Sequence, residues 1–142
     1  MTIKGVIVAC SLGLCATGAL QSAAAPARLH YEPVLVQLSG TVVIESQFGP
    51  PNYGENPATD MQVKIAVLEL DRPVSVVGDP KDEFNQESVD NIQRMQLVDL
   101  KGGRFSPYAG KHVRVSGTLF HAITGHHYTD VLLTVRTIQQ SR

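Results

Sequence analysis

Three histidines and an aspartate crowd one short stretch of this 142-residue chain: His121, His126, His127 and Asp130. Neutral imidazoles and a carboxylate are good ligands for zinc or copper in an oxidising compartment. Facing each other across a hairpin, His121 and His126 would converge on one ion. His126 and His127 are adjacent, so on a strand they point to opposite faces and only one readily joins such a site. A second reading makes all three turn residues whose ring nitrogens bond to the backbone, with Gly125 supplying a positive φ. Against the metal stands the lack of cysteine and of a regular ligand spacing, which structural zinc sites usually have. A third reading is contact with a ligand or partner.

Catalysis has less to rest on. Ser39, Ser46 and Ser116 are available as nucleophiles, but none lies in a Gly-x-Ser-x-Gly elbow. His126 or His127 can serve as a general base with Asp130 to orient it, yet nothing places a nucleophile beside them. No catalytic residue is assigned and the chain is read as no enzyme. Zinc or copper enters only through the metal reading.

The second unusual stretch is Phe48-Gly49-Pro50-Pro51-Asn52-Tyr53-Gly54-Glu55-Asn56-Pro57. Three prolines and two glycines in ten residues exclude a helix or a central strand. Each well-placed proline stiffens a loop by about 0.4–1 kcal/mol through the entropy of the unfolded chain. The loop therefore reads as shaped. Phe48, Tyr53, Phe120 and Tyr128 can form an aromatic recognition surface, because proline-rich rims beside aromatics suit peptides and sugars. The competing reading has Phe48 and Tyr53 closing the open end of a barrel.

Strands are needed to hold these two stretches. Val34, Val36, Leu38, Val42 and Ile44 fall on one face of a first strand, which Gly40 interrupts as a bend or bulge. A second strand runs from Met61 to Asp71, its apolar phase slipping near Ala66; Arg72-Pro73 then turns the chain into a short segment, Val74 to Val77. Residues 78–91 read as an exposed excursion with a helical turn around Glu83 to Val89. A third strand covers Ile92 to Leu100, and a short helix is expected near Ser106 to Ala109. The last two strands, His112–Phe120 and Thr129–Thr137, alternate most cleanly, and His121 to Tyr128 joins them as a hairpin. Five short strands, glycine bends in the first and fourth, and no long helix are together similar to an OB-fold, a small five-stranded Greek-key barrel.

Residues 1–24 read as a cleavable signal peptide: Lys4, an apolar run from Gly5 to Leu20, then small residues at Ser22 and Ala24, with cleavage between Ala24 and Ala25. An uncleaved anchor fits less well, since the run is rich in Gly, Ala and Ser. Lipidation at Cys10 would leave only a short apolar stretch after Lys4. Both cysteines, Cys10 and Cys15, would leave with the signal, so the mature chain would fold outside the cytoplasm without disulfides. Losing Lys4 leaves eleven basic against thirteen acidic side chains. That balance argues against sequence-independent nucleic-acid binding, which works by neutralising phosphates. Residues 25–33 are expected to be a flexible lead-in, and 34–142 a single OB-like domain.

Gly110-Lys111-His112-Val113-Arg114-Val115-Ser116-Gly117-Thr118-Leu119-Phe120, then Thr124-Gly125-His126-His127 and Val131-Leu132-Leu133, resemble a small family of exported bacterial proteins known only as domain of unknown function 4431. The Phe-Gly-Pro-Pro-Asn-Tyr-Gly segment extends the likeness. The resemblance implies export and a small β domain, and it brings no activity with it.

The expected protein is periplasmic or secreted, without a stable membrane anchor after cleavage, and a non-catalytic binding or accessory module. Its recognition rim would comprise Phe48, Pro50, Pro51, Asn52, Tyr53, His121, His126, His127 and Tyr128, facing an envelope protein, peptide or glycan. The alternative is a metal-binding protein using His121, His126, His127 and Asp130.

Overall fold

The computed structural model describes residues 25–141, so the proposed signal and its cleavage position after Ala24 lie outside the described residues. Six strands carry the chain: β1 (Ala27–His30), β2 (Leu35–Phe48), β3 (Gln62–Val77), β4 (Val89–Val98), β5 (His112–His121) and β6 (Val131–Gln140). The only helical element among the described residues is a single 3₁₀ turn, Ser106–Tyr108. The all-β class follows from the period-two alternation, which a helix cannot use.

All six strands belong to one mixed sheet in the order β1-β3-β2-β5-β6-β4, and β3 also pairs with β4. Five strands thus follow one another round a circuit, β2–β3–β4–β6–β5, that returns to β2. Every junction of this circuit is antiparallel except β4–β6, where Gln96, Leu97 and Val98 lie parallel to Leu132, Leu133 and Thr134.

Two glycines let the backbones approach. A Cβ on Gly40 would collide with the Glu69 carbonyl of β3, and one on Gly117 with the Thr134 carbonyl of β6. Gly40 pairs with Leu70 on one side and Val113 on the other, so the bend expected there is a strand shared between two neighbours. At Gly117 the β5–β6 register shifts, as a bulge requires.

Inward-facing Val42, Leu68, Met95, Val113, Leu119 and Leu133 are fully buried and form the main core. Each contributes roughly 1.5–3 kcal/mol by leaving water. A second row runs across the opposite side of the same sheet. Val43 pairs with Val67, Val67 with Gln96, Gln96 with Leu132, and Leu132 with Phe120. Partners in register share a face, so these five side chains stand together on the outer surface. Val67 and Leu132 are nevertheless completely buried. Something folds over them.

Three expectations change. The lead-in holds a strand: β1 runs parallel to Ala27–His30's partners Val74–Val77, and the following Tyr31 is buried, so residues 27–31 are built into the sheet. Burial pushes the Tyr31 phenol up to about 12, helped by the carboxylates of Glu87 and Asp130. The turn expected at Arg72-Pro73 is absent; β3 is continuous, and Pro73 falls where the β3–β4 ladder is interrupted between Glu69 and Val74. Its missing N–H costs no rung there. The helical turn expected over Glu83 to Val89 is also absent. Asp82 instead shapes residues 82–85, its carboxylate accepting from the amides of Phe84 and Asn85 and from the Asn85 side chain.

Candidate functional site

The loop after β2 is organised by one buried carboxylate. Asp60 Oδ1 accepts from the Asn52 amide at 2.8 Å and the Asn52 side chain at 3.1 Å; Oδ2 accepts from the Gly54 amide at 2.7 Å and the Asn56 amide at 3.3 Å. Burial alone would raise the Asp60 pKa, but those donors outweigh it, and the carboxyl titrates below its ordinary range. The loop base closes through Gly49 N–H to Met61 O at 2.7 Å and Met61 N–H to Pro50 O at 3.0 Å. A cis peptide joins Pro50 and Pro51. Within this frame Tyr53 adopts φ +52° and Gly54 φ +102°, a tight reversal that leaves Phe48 and Tyr53 about two-fifths exposed.

The hairpin after β5 is held from below. Gln96, buried on the outer row of β4, accepts from the Tyr128 amide at 2.8 Å and donates to the His126 carbonyl at 3.1 Å. Its own amide donates to Thr129 Oγ1 at 2.9 Å. The hairpin is thereby anchored to the outer row at Gln96, which lies in register between Val67 and Leu132. His127 completes the tip: its Nδ1 accepts from the amides of Ile123 at 2.9 Å and Thr124 at 3.2 Å, while its ring meets Phe120 edge-on at 5.3 Å. Two amides on Nδ1 fix the neutral tautomer with the proton on Nε2. Burial, and then the neighbouring His126, lower the His127 pKa.

The two loops meet. The Tyr53 hydroxyl lies 3.1 Å from His126 Nε2, with the rings edge to face at 5.4 Å. Tyr128 donates its hydroxyl to the Phe48 carbonyl at 2.8 Å. Burial and the nearby Tyr53 raise the Tyr128 pKa. Gly125 has no positive φ; a Cβ there would stand 3.2 Å from the Tyr53 ring, a tight contact that the ring would have to shift to relieve. Phe48, Tyr53, His126 and Tyr128 thus form one continuous aromatic rim, with the exposed Pro51 and half-buried Pro50 and Asn52 beside it.

His121 faces another way. Its amide donates to the buried Asn85 side chain at 2.9 Å, its Nε2 lies 3.7 Å from Glu87, and its ring meets Tyr31 edge-on at 6.4 Å. Asp130 is exposed, and its carbonyl accepts from Ala122 N–H at 2.9 Å. The quartet His121, His126, His127 and Asp130 is not brought to one point. Among the described residues no three His, Cys, Asp or Glu side chains group as a metal site.

Gln96, Asp60 and Asn85 are the residues that sequence reasoning missed. A buried amide looks like an exposed one in a single sequence. Only the alternation of β4, which puts Gln96 out of phase with Met95 and Leu97, hinted that its side chain leaves the main core.

The all-β mixed sheet with two joined loops defines the class of molecule. Residues 94–139 match the family model described as a domain of unknown function (DUF4431), so the resemblance seen in the last third of the sequence holds over the second half of β4, all of β5 and most of β6. No curated protein and no solved structure matches the chain.

Proposed function

We propose that this chain is an exported, non-catalytic binding module: a small OB-like Greek-key barrel that engages an envelope protein, peptide or glycan through the aromatic rim. The circuit of five strands with one parallel junction, β4–β6, supports the barrel reading. The single observation that carries the binding reading is the joining of the two loops through Tyr53–His126 and Tyr128–Phe48. In OB-folds the corresponding loops, after the first strand and between the fourth and fifth, are where ligands bind. Here those loops present aromatic faces already held in place, which lowers the ordering cost of recognition.

The chain expressed with its own N-terminus should be recovered from the periplasm or medium, beginning at Ala25 by mass spectrometry. Displayed against peptide and glycan arrays and envelope extract, the mature domain should bind a defined class of ligand. Tyr53→Ala and His126→Ala should each abolish that binding, and Lys64→Gln, at an exposed position of β3, should leave it intact. Binding that survives both rim substitutions would contradict the reading.

A further inference from the structure

A concavity lies away from the rim, between the segment after β4 and the edge of β6, with a volume of about 730 Å³. Topology creates it. The β4–β6 ladder ends at Val98–Thr134, where the chain leaves β4. From Val135 onward β6 has β5 on one side and no strand on the other. The segment from Asp99 to Phe105 bows around that open edge and makes the outer wall.

The wall is shaped by its own turn. Asp99 Oδ1 accepts from the Lys101 amide at 2.7 Å, and the Gly102 amide reaches the Asp99 carbonyl at 3.3 Å. Gly102 takes φ +72°, and a Cβ on Gly103 would run into the Asp99 carboxylate. Asp99 is therefore engaged inside the turn. The floor is apolar: Phe105, Tyr108, Val135 and Ile138 pack against the main core and line the cleft. Around it stand Lys101, Arg104 and Arg136, all exposed, and the carboxylate of Glu32. Among the described residues none of these three cations is in an ion pair. Cations gathered over an apolar floor, with one nearby acid already bonded to its own loop, present a charged mouth and a greasy base.

We infer that this cleft binds a small amphipathic organic anion, an aliphatic or aromatic body carrying a carboxylate or sulfonate head. The body would lie on Phe105, Tyr108, Val135 and Ile138, and the head would be received by Arg104 and Arg136. A volume of about 730 Å³ falls within the range of small-molecule sites, roughly 300–1,000 Å³. Guanidinium forks suit a planar carboxylate better than an ammonium does. The site shares no residue with the aromatic rim, so it stands or falls independently of the rim's role.

The probe is anilinonaphthalene sulfonate, titrated by fluorescence into the folded mature domain, with decanoate and decanol as competitors. Decanoate should displace the probe and decanol of the same chain length should not. Arg104→Gln and Arg136→Gln should each weaken decanoate about tenfold, the loss of one charge-assisted hydrogen bond, while the thermal midpoint stays at the wild-type value. Lys64→Gln should bind as the wild type does. The inference is overturned if decanoate fails to displace the probe at about millimolar concentration. It is equally overturned if both arginine variants bind decanoate unchanged, or if decanol competes as well as decanoate.

Discussion

The rim and the cleft use polar groups in opposite ways. At the rim the organising polar side chains are engaged inside the protein: Asp60 gathers three backbone amides, Gln96 clamps two backbone groups of the hairpin, and His127 Nδ1 accepts two more. What remains for a partner is shape and aromatic surface. At the cleft Lys101, Arg104 and Arg136 have no ion pair among the described residues, so what it offers is charge. A substitution at the rim should therefore cost stability, and one at the cleft should cost only binding. The lesson is that chemically suggestive side chains need not be the available ones. The histidines that invite a metal are tied up locally, and the free charges stand elsewhere.

The strongest test of this contrast is Gln96→Leu. It leaves the Tyr128 amide and the His126 carbonyl without their buried partner, and each orphaned group costs about 1–3 kcal/mol. Urea unfolding should show a loss of roughly 2–4 kcal/mol, whereas Arg136→Gln should stay within about 0.5 kcal/mol of wild type. Equal stability of the two variants would erase the distinction between the regions.

Next comes His127→Ala, which strips the acceptor from the Ile123 and Thr124 amides and should cost about 1 kcal/mol. This histidine also gives the rim a pH signature. Its folded pKa is lowered below the ordinary 6.5. Its contribution is therefore complete above pH 6.5 and falls away as the pH drops through the folded value. In His127→Gln the part of the acid destabilisation that begins below about pH 6.5 should disappear from thermal melts. Tyr31 predicts the opposite limb: with its folded pKa raised from 10.0 to about 12, stability should decline between those values as the pH rises. Tyr31→Phe should flatten that decline.

Tyr53→Phe should have the smallest effect on stability. It removes one exposed hydrogen bond to His126 and should cost about 0.5 kcal/mol or less. Zinc at about a millimolar should leave the melting midpoint unmoved, because a bound ion would raise it by mass action. A rise that requires His126 and His127 would restore the metal reading.

Much of the fold was legible because alternation reports which face is buried, and five of the six strands alternate or carry a glycine break. β1 was not, because Ala27–His30 is mostly exposed and pairs with β3 on one side only, which imposes little pattern. Pro73 looked like a turn because a sequence does not show that the ladder is already interrupted there. At the site, composition marked the Phe48–Pro57 loop as shaped, yet it could not say that this loop touches the histidine hairpin. Nearness in sequence made His121 a partner of His126, whereas the strand end turns His121 toward Glu87. Gly125 was read for its backbone freedom, yet it takes no positive φ and instead sits close against the Tyr53 ring.

The central claim is that the two loops form one recognition surface, and photo-crosslinking tests it most directly. A photoreactive aromatic residue would replace Tyr53 in one variant and the exposed Ile123 at the hairpin tip in another, with exposed Lys64 as control. Irradiated in the exporting cell, the first two should trap the same species and the control should trap none. Different species from the two positions, or the same yield from Lys64, would contradict the account.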